Sequence, residues 1–178
     1  MSKLKELTWE NHQKAERTKH ARKLLTGMSP EEYYKYIYNQ FCLYSVLETK
    51  ANELNVLEGI EGIARAANIR ADMEELEEEY NITRDASLLC PVIADYTQYV
   101  MSMTEQDEVL AHIYVRHFGD MYGGQMIKKR NPGSGYMYQF ANVDKLKETV
   151  RERLHDGMAD EANRCFEFAM QLFEELDQ

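Results

Sequence analysis

Apolar side chains recur along this chain mostly at intervals of three and four, the period of a helix buried on one face. Residues 3–16 carry Leu4, Leu7, Thr8, His12 and Ala15 on that period, which predicts one amphipathic helix. Ser29-Pro30-Glu31-Glu32 has the grammar of a helix start: a serine N-cap, proline in the first position and a glutamate closing a capping box. The helix it opens would place Tyr33, Ile37, Phe41, Tyr44 and Leu47 on one face. Pro91 begins or interrupts a helix running toward Met103, and Thr104 with Asp107 predicts the cap of the next, which passes through Tyr114 and Phe118. Asn131-Pro132-Gly133-Ser134-Gly135 is the clearest loop. Leu146, Val150 and Leu154 mark one later helix, and Ala162, Phe166, Ala169, Phe173 and Leu176 the last.

Alternation of the strand type is scarce, and only three prolines occur in 178 residues. The pattern predicts an all-α fold, a single domain over 1–178. Residues 72–79, DMEELEEE, read as a solvated helix face. No stretch approaches a membrane span and the first residues lack an apolar leader, so the expectation is a soluble, cytoplasmic monomer without membrane contact. A net charge of −10 argues against nucleic acid as a partner. Cys42, Cys90 and Cys165 have no zinc or redox spacing and read as reduced thiols.

Two stretches do not fit a plain bundle. In HFGDMYGGQ, 117–125, three glycines lie inside a helical pattern, each costing about 1 kcal/mol relative to alanine. Gly119 and Gly123 are one turn apart and open the same face, with Gly124 next. Either a neighbouring helix packs there tightly or a flat ligand lies against bare backbone. Asp120 and Arg116, also a turn apart, add a polar network, with Tyr114 a turn or so earlier. In the first helix, Lys5, Thr8, His12 and Glu16 share a face. Glu16 is placed to accept the Nδ1 proton of His12 and leave Nε2 for a metal. Lys5 lies about 10.5 Å along the axis, within reach of an anionic edge of a flat ligand centred on His12.

These segments carry a resemblance. LKELTWENHQKAE at 4–16, HFGDMYGGQMIKK at 117–129, FANVDKLKETVRERL at 140–154 and CFEFAMQLFEELDQ at 165–178 together are similar to heme oxygenases of the biliverdin-producing, soluble short form. The resemblance covers essentially the whole chain. It implies a helical domain that sandwiches heme b between a proximal and a distal helix. His12 is then the axial ligand of the heme iron, with Thr8 and Glu16 beside it. Gly119, Gly123 and Gly124 let the distal backbone lie over the ring. Asp120 acts through water on iron-bound oxygen, with Arg116, Tyr44 and Tyr114 in the distal polar network. Lys5, Lys147 and Arg151 pair with the heme propionates, and Phe166 forms distal wall. The implied reaction takes heme, O2 and electrons from an external donor to biliverdin IXα, CO and ferrous iron.

No flavin or nicotinamide motif is present, so the resemblance points to a ferredoxin-like or other reductase partner. Lys14, Arg17, Lys19, Arg22 and Lys23 form one basic cluster that such a donor would meet, and Lys128, Lys129 and Arg130 a second. The alternatives are a heme-binding or storage protein without turnover, and a helical interaction protein. Tyr122 departs from the family pattern, standing where a small serine is usual. Val115 replaces a threonine found in some relatives, and 125–140 is short.

Overall fold

In the computed structural model, which describes residues 2–178, nine α-helices follow one another. They are α1 (Leu4–Leu7), α2 (Trp9–Glu16), α3 (Lys19–Thr26), α4 (Pro30–Glu53), α5 (Ala66–Tyr80), α6 (Val92–Met101), α7 (Gln106–Arg130), α8 (Val143–Arg153) and α9 (Ala159–Leu176). Among the described residues there is no strand, and no helix is long and apolar enough to cross a membrane.

The Ser29 box is present as the sequence predicts: the hydroxyl accepts from Glu32 N at 3.2 Å and the Glu32 carboxylate accepts from Ser29 N at 3.3 Å. The helix it starts, α4, is the centre of the fold and packs on α5, α6 and α7. Contact on several sides explains why its buried set is wider than one stripe. Tyr33, Ile37, Tyr44 and Leu47 are buried as expected, joined by Tyr34, Tyr36, Asn39, Gln40 and Glu48, while Phe41 is only partly covered. α9 is likewise met from several sides, by α2, α3, α6 and α7. Its deepest positions are Ala162, Cys165, Phe168 and Leu172; the expected Phe166 and Phe173 are half-buried and turn toward His12 and His20 instead. All three cysteines are free thiols.

Three local expectations change. The first helix divides at Thr8 (φ −111°, ψ 2°), whose hydroxyl donates to Leu4 O at 2.9 Å; this bond competes with the helical backbone. The cap of α7 is Glu105, one residue after Thr104. The carboxylate that accepts the free N–H groups of Thr104 and Glu105 belongs to Glu108, at 3.2 and 3.0 Å, because Glu108 is the residue three positions past the cap. The acidic run is not only a solvated face. Asp72 is buried and accepts from Tyr136 N and Met137 N, both at 2.8 Å; Glu75 accepts from Ser134 N at 2.6 Å. Burial raises the Asp72 carboxyl to about 6, against the two backbone hydrogen bonds that pull it down. These contacts tie the 131–138 loop to α5.

The far end of α7 is also tied. Asn131 ends the helix; its amide donates to Leu24 O at 2.8 Å and its carbonyl accepts from Met28 N at 3.0 Å. The last turn of α3 therefore sits against the last turn of α7. Nearby, Gly124 is buried, and a Cβ there would drive into the ring of Tyr138. That ring is fixed, since its hydroxyl bonds Tyr36 at 2.9 Å and Tyr36 accepts from Gln40 at 3.1 Å. Gly124→Ala should cost about 1–3 kcal/mol of stability in chemical denaturation, as overpacking against a held ring does. An unchanged midpoint would mean that the Tyr138 ring yields freely.

Candidate active site

α7 presents different surfaces on its two sides. Gly119, Tyr122, Gly123 and Met126 face outward, at spacings of three, one and three. A Cβ added at Gly119 or Gly123 would meet nothing within 4 Å. Neighbour packing therefore does not offset the helix penalty of these two glycines; what they leave is a strip of bare backbone open to a flat ligand. Gly124 does not belong to that strip. A single residue's step, about 100° around the axis, carries it to the core side against Tyr138.

The inward side carries the polar groups. Tyr44 of α4 donates to Asp120 Oδ2 at 2.5 Å. Asp120 is nearly buried, 9 % exposed, and lies next to Gly119, so one carboxylate touches both the core and the margin of the open strip. Burial lifts its carboxyl to about 7; the Tyr44 hydrogen bond and the charges of Arg116 and Arg65 act against that rise. Arg116 does not pair directly with Asp120. Its Nε donates to Tyr96 at 3.1 Å, and its Nη2 is buried without a partner. From Tyr96 the chain of contacts continues to His112 Nδ1 at 2.7 Å, and from His112 Nε2 to Glu161 at 3.2 Å. A second group lies below Tyr44: His117 Nε2 meets Glu48 at 2.8 Å, and Glu48 also accepts from Arg65 N at 2.6 Å and Ala66 N at 2.9 Å. Nothing in the sequence announces Glu48, Tyr96 or Arg65. The one available signal is a glutamate among the apolar positions of α4, a charge that must be paired when buried.

On α2, the imidazole of His12 is 41 % exposed and stands 5.3 Å from the Trp9 ring and 5.8 Å from the Phe166 ring. Phe166 thus flanks His12, and the distal position expected for it is not the one it takes: α9 meets α2 here, and the side chain follows that contact. Glu16 does reach His12, but at Nε2, 2.7 Å away, and not at Nδ1. A long glutamate one turn on meets the outer nitrogen of the ring more readily than the one beside Cβ. Both partners are solvent-exposed, so this contact is worth under about 1 kcal/mol and is readily exchanged for a stronger ligand. Thr8 is buried toward α7, where it faces Tyr114, while Lys5 is exposed.

Tyr114 belongs to a different group from the expected one. Six residues before Asp120, it is rotated about 120° from that side chain and cannot share its network. It forms a ladder with Phe118 and Tyr122, ring centroids 5.6 and 5.8 Å apart. Lys147 and Arg151 of α8 come down on this ladder. The Lys147 ammonium lies 3.7 Å from the Tyr122 ring centre, and Arg151 donates to the Tyr122 hydroxyl. The structure thus brings Lys147, Arg151 and Tyr122 together beside the glycine strip, and Tyr44 with Asp120 beneath it.

An exposed imidazole, two glycines that bare one side of a helix with a buried carboxylate at their margin, and a cationic pair nearby are set together in this helical fold. The heme oxygenase family model matches residues 1–175, and the chain belongs to that family. It is 30% identical over 206 residues to heme oxygenase 2 of Macaca fascicularis, an alignment covering 98% of this chain and 64% of that protein; the chain spans just under two thirds of the length of this relative. Its fold matches heme oxygenase from Leptospira interrogans with a TM-score of 0.81 at 22% identity, over 97% of both chains. It also matches heme oxygenase-1 from the cyanobacterium Synechocystis, solved in complex with heme, with a TM-score of 0.78 at 22% identity, over 98% of this chain and 90% of that one.

The Tyr44–Asp120 bond makes a pH prediction. Asp120 titrates from an unfolded value of about 3.9 to a folded one near 7, so the stability it contributes is present below about pH 4 and lost as pH rises through 7. Tyr44 favours the charged carboxylate. Tyr44→Phe should therefore move the folded titration upward by about one to two pH units, the scale of a hydrogen bond to a charged group. Carboxyl-carbon NMR titration reads this directly, and an unmoved midpoint would show that Tyr44 does not control Asp120.

Proposed function

We propose that this chain binds heme b and opens it oxidatively, with O2 and electrons from an external donor, to biliverdin IXα, CO and ferrous iron. The observation that carries the reading is the side-chain-free strip at Gly119 and Gly123 with the Asp120 carboxylate at its margin. Packing alone has no use for that combination. Membership in the family and the heme held by the Synechocystis neighbour support the same ligand.

The residues present fit heme. His12 offers a ring nitrogen once Glu16 is exchanged, and Trp9 and Phe166 give its surroundings aromatic surface. Gly119 and Gly123 admit the macrocycle close to the α7 backbone. Lys5, Lys147 and Arg151 supply positive charge for the two carboxylates. Heme is at once substrate and cofactor, its iron activating O2 against its own ring.

In this reading Asp120 holds and passes a proton through ordered water at the margin of the strip. With its carboxyl near 7, both forms are populated at neutral pH, which is what a group that takes up and releases protons requires. Tyr44 fixes one carboxylate oxygen and leaves the other available. Arg116, bound to Tyr96, supplies positive charge beneath the carboxylate without neutralising it by direct pairing. Thr8 shapes the break that separates α1 from α2, and Tyr114 lines the α8 side of the strip.

The test uses hemin and the sole tryptophan, which lies beside His12. Hemin should quench Trp9 fluorescence at one equivalent. With ascorbate in air the visible spectrum should pass to that of biliverdin, with the α isomer dominant on chromatography. His12→Ala should lose nearly all turnover. A hemin complex whose spectrum survives reductant and O2 would make this a binding protein instead, and no hemin binding would end the reading.

We further infer a small acidic electron donor, such as a ferredoxin, meeting the enzyme as a cytoplasmic monomer. Supporting this, Asn131 links the ends of α3 and α7, so the two basic clusters of an acidic chain are neighbours. Arg17, Lys19, Arg22, Lys129 and Arg130 are all exposed. Reversing the charge of Arg22 and Lys129 should slow ferredoxin-driven turnover at least tenfold at low salt and leave ascorbate-driven turnover unchanged, on the scale of roughly 1.4 kcal/mol for each factor of ten. Equal rates with ferredoxin would remove this surface from the reaction.

A further inference from the structure

Tyr122, a large aromatic side chain between two glycines of α7, has a specific environment. The phenol is 57 % exposed on the outward side of α7, between Gly119 and Gly123. Its hydroxyl accepts from the Arg151 guanidinium, and its ring lies under the Lys147 ammonium, 3.7 Å from the centre. The Arg151 guanidinium carbon is 5.6 Å from the Phe118 ring centre, and Phe118 in turn packs on Tyr122. Lys147 and Arg151 are one turn apart on α8 and repel each other as like charges. The aromatic surface beneath them offers a negative face to both, and the hydroxyl gives one a fixed acceptor.

Neither cation is consumed by this arrangement. The guanidinium carries five N–H donors and commits one to Tyr122; the ammonium keeps all three, because a ring face takes none of them outright. Neither has an ion-pair partner among the described residues. Two cations are therefore held side by side with most donors free, at the edge of the bare strip.

We propose that Tyr122 is a positioning residue that holds Lys147 and Arg151 as a preformed clamp for a pair of carboxylates, and so fixes how a flat dicarboxylate ligand is rotated in its own plane. This rests on the reading of the strip as a heme site. Without the phenol, two long side chains would have to be ordered by the ligand itself. That ordering cost falls on carboxylate recognition and leaves the binding of the macrocycle untouched. Tyr122→Ala should therefore weaken discrimination for the carboxylates, and Tyr122→Phe, which keeps the ring under Lys147 and removes the acceptor for Arg151, should do so in part.

The experiment compares hemin with hemin dimethyl ester, in which both carboxylates are blocked, by Trp9 quenching on the full chain. Wild type should prefer hemin. The preference should fall about tenfold in Tyr122→Ala and about threefold in Tyr122→Phe, the size expected when one or two side chains lose their preorganisation. Affinity for the ester should change less than affinity for hemin, thermal stability should stay at the wild-type value, and turnover of hemin should show a raised KM. If the alanine variant keeps the wild-type preference, the clamp is not organised by Tyr122. If it binds hemin more tightly, the phenol is an obstruction and the proposal is overturned. Either result leaves the heme reading standing when wild type still yields biliverdin, whereas wild type that binds neither compound removes both.

Discussion

The structure depends on one helix that carries polar groups into the core and is bared by two glycines on its outward side. α7 crosses the molecule against α3, α4, α8 and α9, and its inward side must satisfy a carboxylate, a guanidinium and two imidazoles in the core. That cost is met by partners on other helices: Tyr44 and Glu48 from α4, Tyr96 from α6, Glu161 from α9. Buried charge is poor cement unless paired, so these helices are held in register by the need to satisfy α7 as much as by apolar contact. The outward side can then be left bare at Gly119 and Gly123, because the helix does not rely on those positions for attachment.

This division explains what could be read from the sequence. The helical pattern, the Ser29 cap, the Pro91 and Asn131 boundaries and the free thiols follow from local chemistry, and the structure has them. The Gly119–Gly123 strip and the Tyr44–Asp120 contact were also legible, the first from turn spacing and the second through family resemblance. What a motif read as one unit hides is that its members point in different directions around the helix, and what spacing does not give is which neighbour each direction meets. Gly124 and Tyr114 look like members of the same site because they are close along the chain; a turn of the helix sends one into the core and the other toward α8. Phe166 took its place from the approach of α2 to α9, a tertiary fact without a local signal. The pairing of Glu48 with His117 joins residues 69 apart and is invisible for the same reason.

The acidic run on α5 shows how far composition misleads. Six acids in eight residues look like a solvated face. Yet Asp72 is among the most deeply buried charges in the fold, and Glu77 accepts from Tyr34 at 2.5 Å and from Arg84 at 2.9 Å. A run of like charges repels itself unless backbone amides and cations are set against it, and α5 is supplied with both.

The attachment of the 131–138 loop has a consequence for how this region tolerates change. Asp72 and Glu75 grip it chiefly through main-chain N–H groups, those of Ser134, Tyr136 and Met137, which every residue but proline carries. The only positions with a fixed backbone demand are Gly133 and Gly135, at φ +88° and +69°. Its course is therefore set in part by the carboxylates of another helix, while its own side chains are needed at Asn131, which joins α3 to α7, and at Met137 and Tyr138, which are buried in the core. Exchange at Pro132, Ser134 or Tyr136, where the grip is on the main chain, would leave α7 ending at Asn131.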